Sequence, residues 1–113
     1  PLIEVGDFTQ AQRFIVESLE IVLSTRSFKV TTVLTAISYW YLKKNAIEAA
    51  VMTYAVAKQH QFVAKSRWCA IVVEEPISLA AQTLTPERVE AAFERGRTRD
   101  MWGYVDSLLN EFK

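Results

Sequence analysis

Few side chains in this 113-residue sequence could do chemistry, and each group is tied to a specific requirement. His60, the only histidine, lies in Lys58-Gln59-His60-Gln61. An imidazole can relay protons near neutral pH or ligate zinc, but a zinc site needs further His or suitably spaced Cys, and Cys69 is the only cysteine. His60 therefore reads as a solvated residue on a helix surface. Cys69 sits inside the apolar run Trp68-Cys69-Ala70-Ile71-Val72-Val73 and reads as buried packing, because a reactive thiol needs an accessible, electropositive site. Glu74-Glu75 could be a carboxylate pair for acid-base work. Neighbours on a helix point about 100° apart, however, and cannot hold one proton between them. They read as the polar end of a buried helix with Arg67 as a partner. Glycine-rich phosphate loops and serine-nucleophile motifs are absent from the sequence. No catalytic, cofactor-binding or metal-binding residue is assigned, and the chain is expected not to be an enzyme.

Two groups suit binding better than bond-making. Arg95, Arg97 and Arg99 surround Gly96, and three guanidiniums about a flexible glycine could straddle phosphates by bidentate hydrogen bonds. Glu94 and Asp100 flank them, so the competing reading is a solvated helix junction with local ion pairs. Tyr39-Trp40-Tyr41 puts three adjacent rings around most of a helix's circumference, so they cannot all face one core. At least one is expected to meet another surface, with Trp102 and Tyr104 as a second anchor. The candidate partner-binding set is thus Tyr39, Trp40, Trp102 and Tyr104, and the candidate phosphate-binding set is Arg95, Arg97 and Arg99.

The elements that must position these groups read as helices. Half the residues are hydrophobic, and only three Gly and three Pro interrupt them, which excludes a disordered or linker-dominated chain. The length suits one helical domain, residues 1–113, with a core that needs no disulfide or metal. Thirteen basic residues balance thirteen acidic ones, so nucleic acid could be met only through a local patch. No run approaches the ~20 apolar residues of a membrane span. The opening Pro1-Leu2-Ile3-Glu4 lacks the basic and apolar regions of a signal peptide, and a cytoplasmic protein is expected.

A first helix is predicted to open at Asp7-Phe8-Thr9-Gln10, with Asp7 or Thr9 as cap. Its core face is Ile15, Leu19, Val22 and Leu23, and it ends near Arg26-Ser27. A second runs from Ser27 through Val30, Val33, Leu34, Ile37 and Tyr41. It closes at Lys43-Lys44-Asn45, where Asn tolerates the left-handed conformation, although β-branched Val30-Thr31-Thr32-Val33 could open as a short strand. The third covers Ala46 to Gln61. Ala64 to Glu75 is either a buried strand or a helix hidden on all sides. Helix is chosen because an isolated strand would leave its amides unpaired, and Pro76 is expected to stop it. Thr85-Pro86-Glu87 starts another helix, Gly96 invites a break, and Met101 to Phe112 closes the chain with Val105, Leu108, Leu109 and Phe112 inward. The expected fold is all-α, a compact bundle or layered array of about five to six helices.

Several short words in the middle of the chain carry a family likeness. Thr35-Ala36-Ile37, Leu42-Lys43-Lys44-Asn45, Glu48-Ala49-Ala50-Val51, Lys65-Ser66-Arg67-Trp68, Ile71-Val72 and Glu74-Glu75-Pro76-Ile77-Ser78-Leu79-Ala80 follow one another in order. Residues 33–81 resemble the helical, collar-type segment that follows the ATPase module in clamp-loader-related, Werner-helicase-interacting and replication-associated recombination ATPases. Pro76 and Ser78 stand where that pattern has Asp and Gly, and the phosphate-binding loop and acidic magnesium motif have no counterpart. The resemblance implies a collar-like domain that packs subunits together in replication or recombination, with no catalytic residue to carry over. A non-enzymatic oligomerisation or adaptor module follows, acting on a protein partner or on itself. The alternative is a small nucleic-acid-binding regulator using the arginine cluster.

Overall fold

The apolar spacing of the first segment dictates its helix and the side it buries. In the computed structural model, which describes residues 8–26 and 29–112, α1 (Phe8–Thr25) buries Ala11, Ile15, Leu19 and Val22 along one stripe. Thr9 is already inside its first turn, and the capping roles expected of Asp7 and Ser27 fall outside the described residues. Arg26 adopts a left-handed φ of 52° just past the last turn, a common way for a helix to end.

α2 (Val30–Lys43) begins as helix directly at the β-branched run. Val30 and Thr31 are both buried there, so tertiary packing outweighs their lost rotamer freedom. The Thr35 and Ser38 hydroxyls donate back to the carbonyls of Thr32 and Leu34, which satisfies them inside an apolar layer. The basic last turn and left-handed Asn45 (φ 63°) appear as the sequence leads one to expect. Asn45 N–H donates to Leu42 O at 3.0 Å and Ala46 N–H to Tyr41 O at 2.9 Å, which is the paired Schellman closure.

α3 (Ile47–Lys58) is the central helix, sandwiched between α2 and α7, with Ala50, Val51, Thr53, Tyr54, Ala55, Val56 and Ala57 all buried. It stops at Lys58, three residues before the expected Gln61. Gln59 turns the chain by donating its amide to the carbonyls of Gly96 and Arg99. A separate turn, α4 (Gln61–Ala64), then starts behind His60.

Residues 67–81 correct the expectation that Pro76 ends a helix. α5 (Arg67–Cys69), a π-helical turn (Ala70–Glu74) and α6 (Glu75–Ala81) run on without a break. A proline inside a regular α-helix collides with the carbonyl four residues back. Here the turn before Pro76 widens, with Glu75 N–H reaching Ala70 O five residues back, and the helix passes through.

α7 (Pro86–Thr98) starts as expected, with the Thr85 hydroxyl accepting from Arg88 N–H and Pro86 in the first turn. Gly96 does not break it. The residue is buried where α7 crosses α3, and its missing Cβ lets the two backbones meet. α8 (Met101–Phe112) is capped by Asp100, whose carboxylate accepts from Gly103 N–H at 2.7 Å, and buries Tyr104, Val105, Leu108, Leu109 and Phe112 against α1 and α3. The fold is all-α, with no strand among the described residues, and no helix among them is long and apolar enough to cross a membrane.

Candidate functional site

The residues singled out as binding groups do not come together on one surface. Trp40 and Tyr104 are core residues, each 5% exposed, and this corrects their reading as partner-facing anchors. Trp40 stacks edge-on against Tyr41 and Phe112, with centroids 5.4 and 4.9 Å away, and so locks α8 onto α2. Tyr104 shares a 2.6 Å hydrogen bond with Thr53, a hydroxyl buried in the central helix. Burial raises the phenols of Tyr41 and Tyr104 above the ordinary tyrosine range. Trp102 is half-buried beneath the Arg26 guanidinium, 5.0 Å from its ring centroid. Of the Tyr39-Trp40-Tyr41 triplet, only half-buried Tyr39 turns away from the core, since three adjacent rings on one helix cannot all face it.

The arginine cluster is also divided. Arg97 makes a bidentate pair with Glu94 at 2.9 and 2.8 Å, and these hydrogen bonds hold the Glu94 carboxyl below its usual range. Arg99 lies 5.3 Å from the Tyr104 ring and donates to Ser107. Arg95 stands exposed on α7. A phosphate at this corner would have to compete with Glu94 for Arg97, and Gly96 has no freedom to wrap around it.

Neither carboxylate of Glu74-Glu75 meets Arg67 in an ion pair. Glu74 pairs with Lys58 at 3.0 Å and sits beside Tyr54, whose phenol is raised by burial first and by the Glu74 charge second. His60 is solvent-exposed, and it also has a structural task, since its Nδ1 accepts from Phe62 N–H at 3.1 Å and caps α4. Cys69 is buried as expected. Among the described residues no three His, Cys, Asp or Glu side chains are grouped to hold a metal.

The feature with binding geometry is an apolar face that runs along the outside of α2. One groove, about 490 Å³, lies between α2 and the helices after α3. Thr31, Thr35 and Tyr39 form one wall, and Phe62, Trp68 and Val72 form the other, with Cys69 and Val73 among the lining. A second groove, about 480 Å³, lies between α1 and α2, walled by Phe14, Ser18 and Ile21 on the α1 side. Thr32 and Ala36 belong to both, so they form the ridge between them. Among the described residues Lys29 is the only charged one lining either groove.

The rims are apolar and open to solvent. Phe14 is 62% exposed, Ile21 62%, Phe62 61%, Trp68 63% and Ile71 54%. With Val72 they present on the order of 600 Å² of apolar surface, which is at the top of what a monomer ordinarily leaves uncovered. Phe14 and Ile21 are seven residues apart, two helical turns, and so share one side of α1, about 100° around the helix from the buried Ile15-Leu19 stripe. This second stripe was missed because the inner stripe alone accounts for an amphipathic helix. The signal was present in the apolar count: α1 carries more large apolar residues than one face can bury. Compared with protein-family models, curated protein sequences and solved structures, the chain matches none.

Proposed function

We propose that this chain is a non-enzymatic, helical protein-association module whose docking face is the pair of grooves astride α2. The observation that supports this is the set of large apolar side chains held outward on both rims. Phe14, Ile21, Phe62 and Trp68 line the grooves and are each more than half exposed; Ile71, next to the groove residue Val72, and Leu79, farther along the same helical stretch, are exposed as well. Leaving such surface in water costs about 25 cal/mol for each Å², a cost that disappears when a partner covers it. Among the described residues the grooves hold too few ionisable groups for acid-base work, and their apolar walls suit the ridges of another helical surface. A setting in replication or recombination is supported by the collar-like words between Thr35 and Ala80 alone.

The test uses the triple variant Phe62→Ser, Trp68→Gln, Ile71→Gln. At dilution the folded wild type should bind an environment-sensitive apolar dye, and the variant, which keeps the Phe14–Ile21 groove, should lose about half of that signal while its thermal midpoint stays put. Exposed substitutions away from the core change stability by only about 0.5 kcal/mol. Undiminished dye binding, or cooperative melting far below wild type, would remove the docking role from this face.

A further inference from the structure

Two grooves of nearly equal volume flank one ridge, and each has a rim of bulky apolar side chains on its far side. Such a face can be complementary to itself. Imagine two copies facing each other, related by a two-fold axis parallel to α2 that lies between their Thr32-Ala36 ridges. That operation sets the α1 rim of each copy, Phe14 and Ile21, opposite the aromatic rim of the other, Phe62 and Trp68. Rim then meets rim on both sides of the axis, and the contact is made twice, as an isologous interface requires. Thr32 and Ala36 are small, so the ridges do not hold the rims apart.

Resting on the docking role above, we infer that the occupant of this face is a second copy of the chain, paired in that reciprocal way. Three properties of the molecule favour a like partner. Among the described residues the groove linings are almost wholly uncharged, Lys29 being the exception, so a strongly acidic or basic partner would find little there to pair with. The formal net charge of zero removes long-range repulsion between identical copies. The five groove-lining side chains Phe14, Ile21, Phe62, Trp68 and Val72 supply roughly 500 Å² per copy, and the ridge, the other groove walls and neighbouring Ile71 add to this toward the about 800 Å² per partner that a stable interface takes.

The experiment is a pair of charged variants, Ile21→Lys and Trp68→Glu, weighed in solution by light scattering. Wild type should weigh twice 12.9 kDa at high concentration. Each variant alone should fall to the monomer mass, because a charge is then buried against an apolar rim at both reciprocal contacts. An equimolar mixture should recover the double mass: one contact joins Lys at 21 to Glu at 68, and the other keeps both native residues. Since Ile21 and Trp68 are largely exposed, both variants should fold, and recovery on mixing would itself show that they do. A mixture that stays monomeric would overturn the reciprocal geometry. A wild type that stays monomeric at every concentration, while still binding the apolar dye, would overturn the second copy as occupant and leave the docking face standing for another helical partner.

Discussion

Gly96 is the residue on which the central packing turns. A Cβ built there would overlap the Met52 carbonyl oxygen and stand 2.7 Å from the Ala55 Cβ, where real Cβ atoms stay beyond 3.0 Å. Both obstacles belong to α3 and neither can rotate away, so Gly96→Ala must push α3 and α7 apart. Overpacking of a tight site costs roughly 1–3 kcal/mol, and an immovable obstacle places this case at the upper end. Alanine returns about 1 kcal/mol through better helix propensity. The net loss is then about 2 kcal/mol, a fall in Tm of about 8 °C for a domain of this size. Separation would also strain the bond from the Gln59 amide to Gly96 O.

Gly103 supplies the internal control. Its added Cβ would meet only the Asp100 side chain, 3.0 Å away at the carboxylate oxygen, which can give by a few tenths of an ångström and still accept from the N–H of residue 103. Gly103→Ala should therefore leave stability unchanged or raise it by a few tenths of a kcal/mol. Urea and thermal unfolding of the two variants side by side decide the matter. If Gly96→Ala is as stable as Gly103→Ala or more so, helix propensity is the only effect at work and the close approach of α3 and α7 is refuted.

Three other outcomes follow from the same packing. Trp40→Ala should cost about 3–5 kcal/mol, because the ring is enclosed by Tyr41 and Phe112, and a near-native urea midpoint would return Trp40 to the surface. Thr85→Ala should cost about 1 kcal/mol by removing the cap at the start of α7, and an unchanged midpoint would show that the cap bond is not held in solution. Tyr41, Tyr54 and Tyr104 have phenols raised by burial, so above pH 10 the unfolded chain loses protons that the folded one retains. Their stabilising effect is complete below pH 10 and falls as pH rises, at up to about 1.4 kcal/mol per pH unit for each; a flat stability profile from pH 9 to 11.5 would contradict their burial.

The helical class and the core faces of α1, α2 and α8 were legible because each rests on local spacing: Ile15, Leu19 and Val22, then Val30, Leu34 and Ile37, then Val105, Leu108 and Phe112. Terminal signals were equally readable at Asn45 and Thr85, where one residue decides the backbone turn or the cap. What failed depended on tertiary partners. Gly96 looks like a breaker until α3 is laid across it, and Trp40 looks like a surplus ring until Phe112 arrives from 72 positions later in the chain. Glu74 found Lys58 instead of Arg67 because α3 passes beside the π-turn. The docking face could not be read from any single segment, since its two rims come from helices at opposite ends of the groove pair and join only through α2.

The stretch from Arg67 to Ala81 shows how one sequence pattern can serve two surfaces. Its buried residues, Cys69, Val73, Ile77 and Ala81, are each four apart. In a regular α-helix four residues turn about 400°, so three such steps drift the stripe by about 120°, a third of the way around. A π-turn makes more residues per turn and takes back part of that drift, which keeps the four side chains on the side facing the bundle. The same correction acts on the outer side, where Trp68 and Val72, also four apart, stay together as a wall of the larger groove. Pro76, poorly suited to an α-helix interior, is tolerated where the widened turn has already displaced the carbonyl it would strike. A helix apolar on both sides needs cover on both sides, and here the bundle covers only one. The strict spacing of four, the proline and the uncovered Trp68 side are therefore parts of one arrangement, in which one widened turn keeps the inner stripe on the core and the outer pair together on the exposed side.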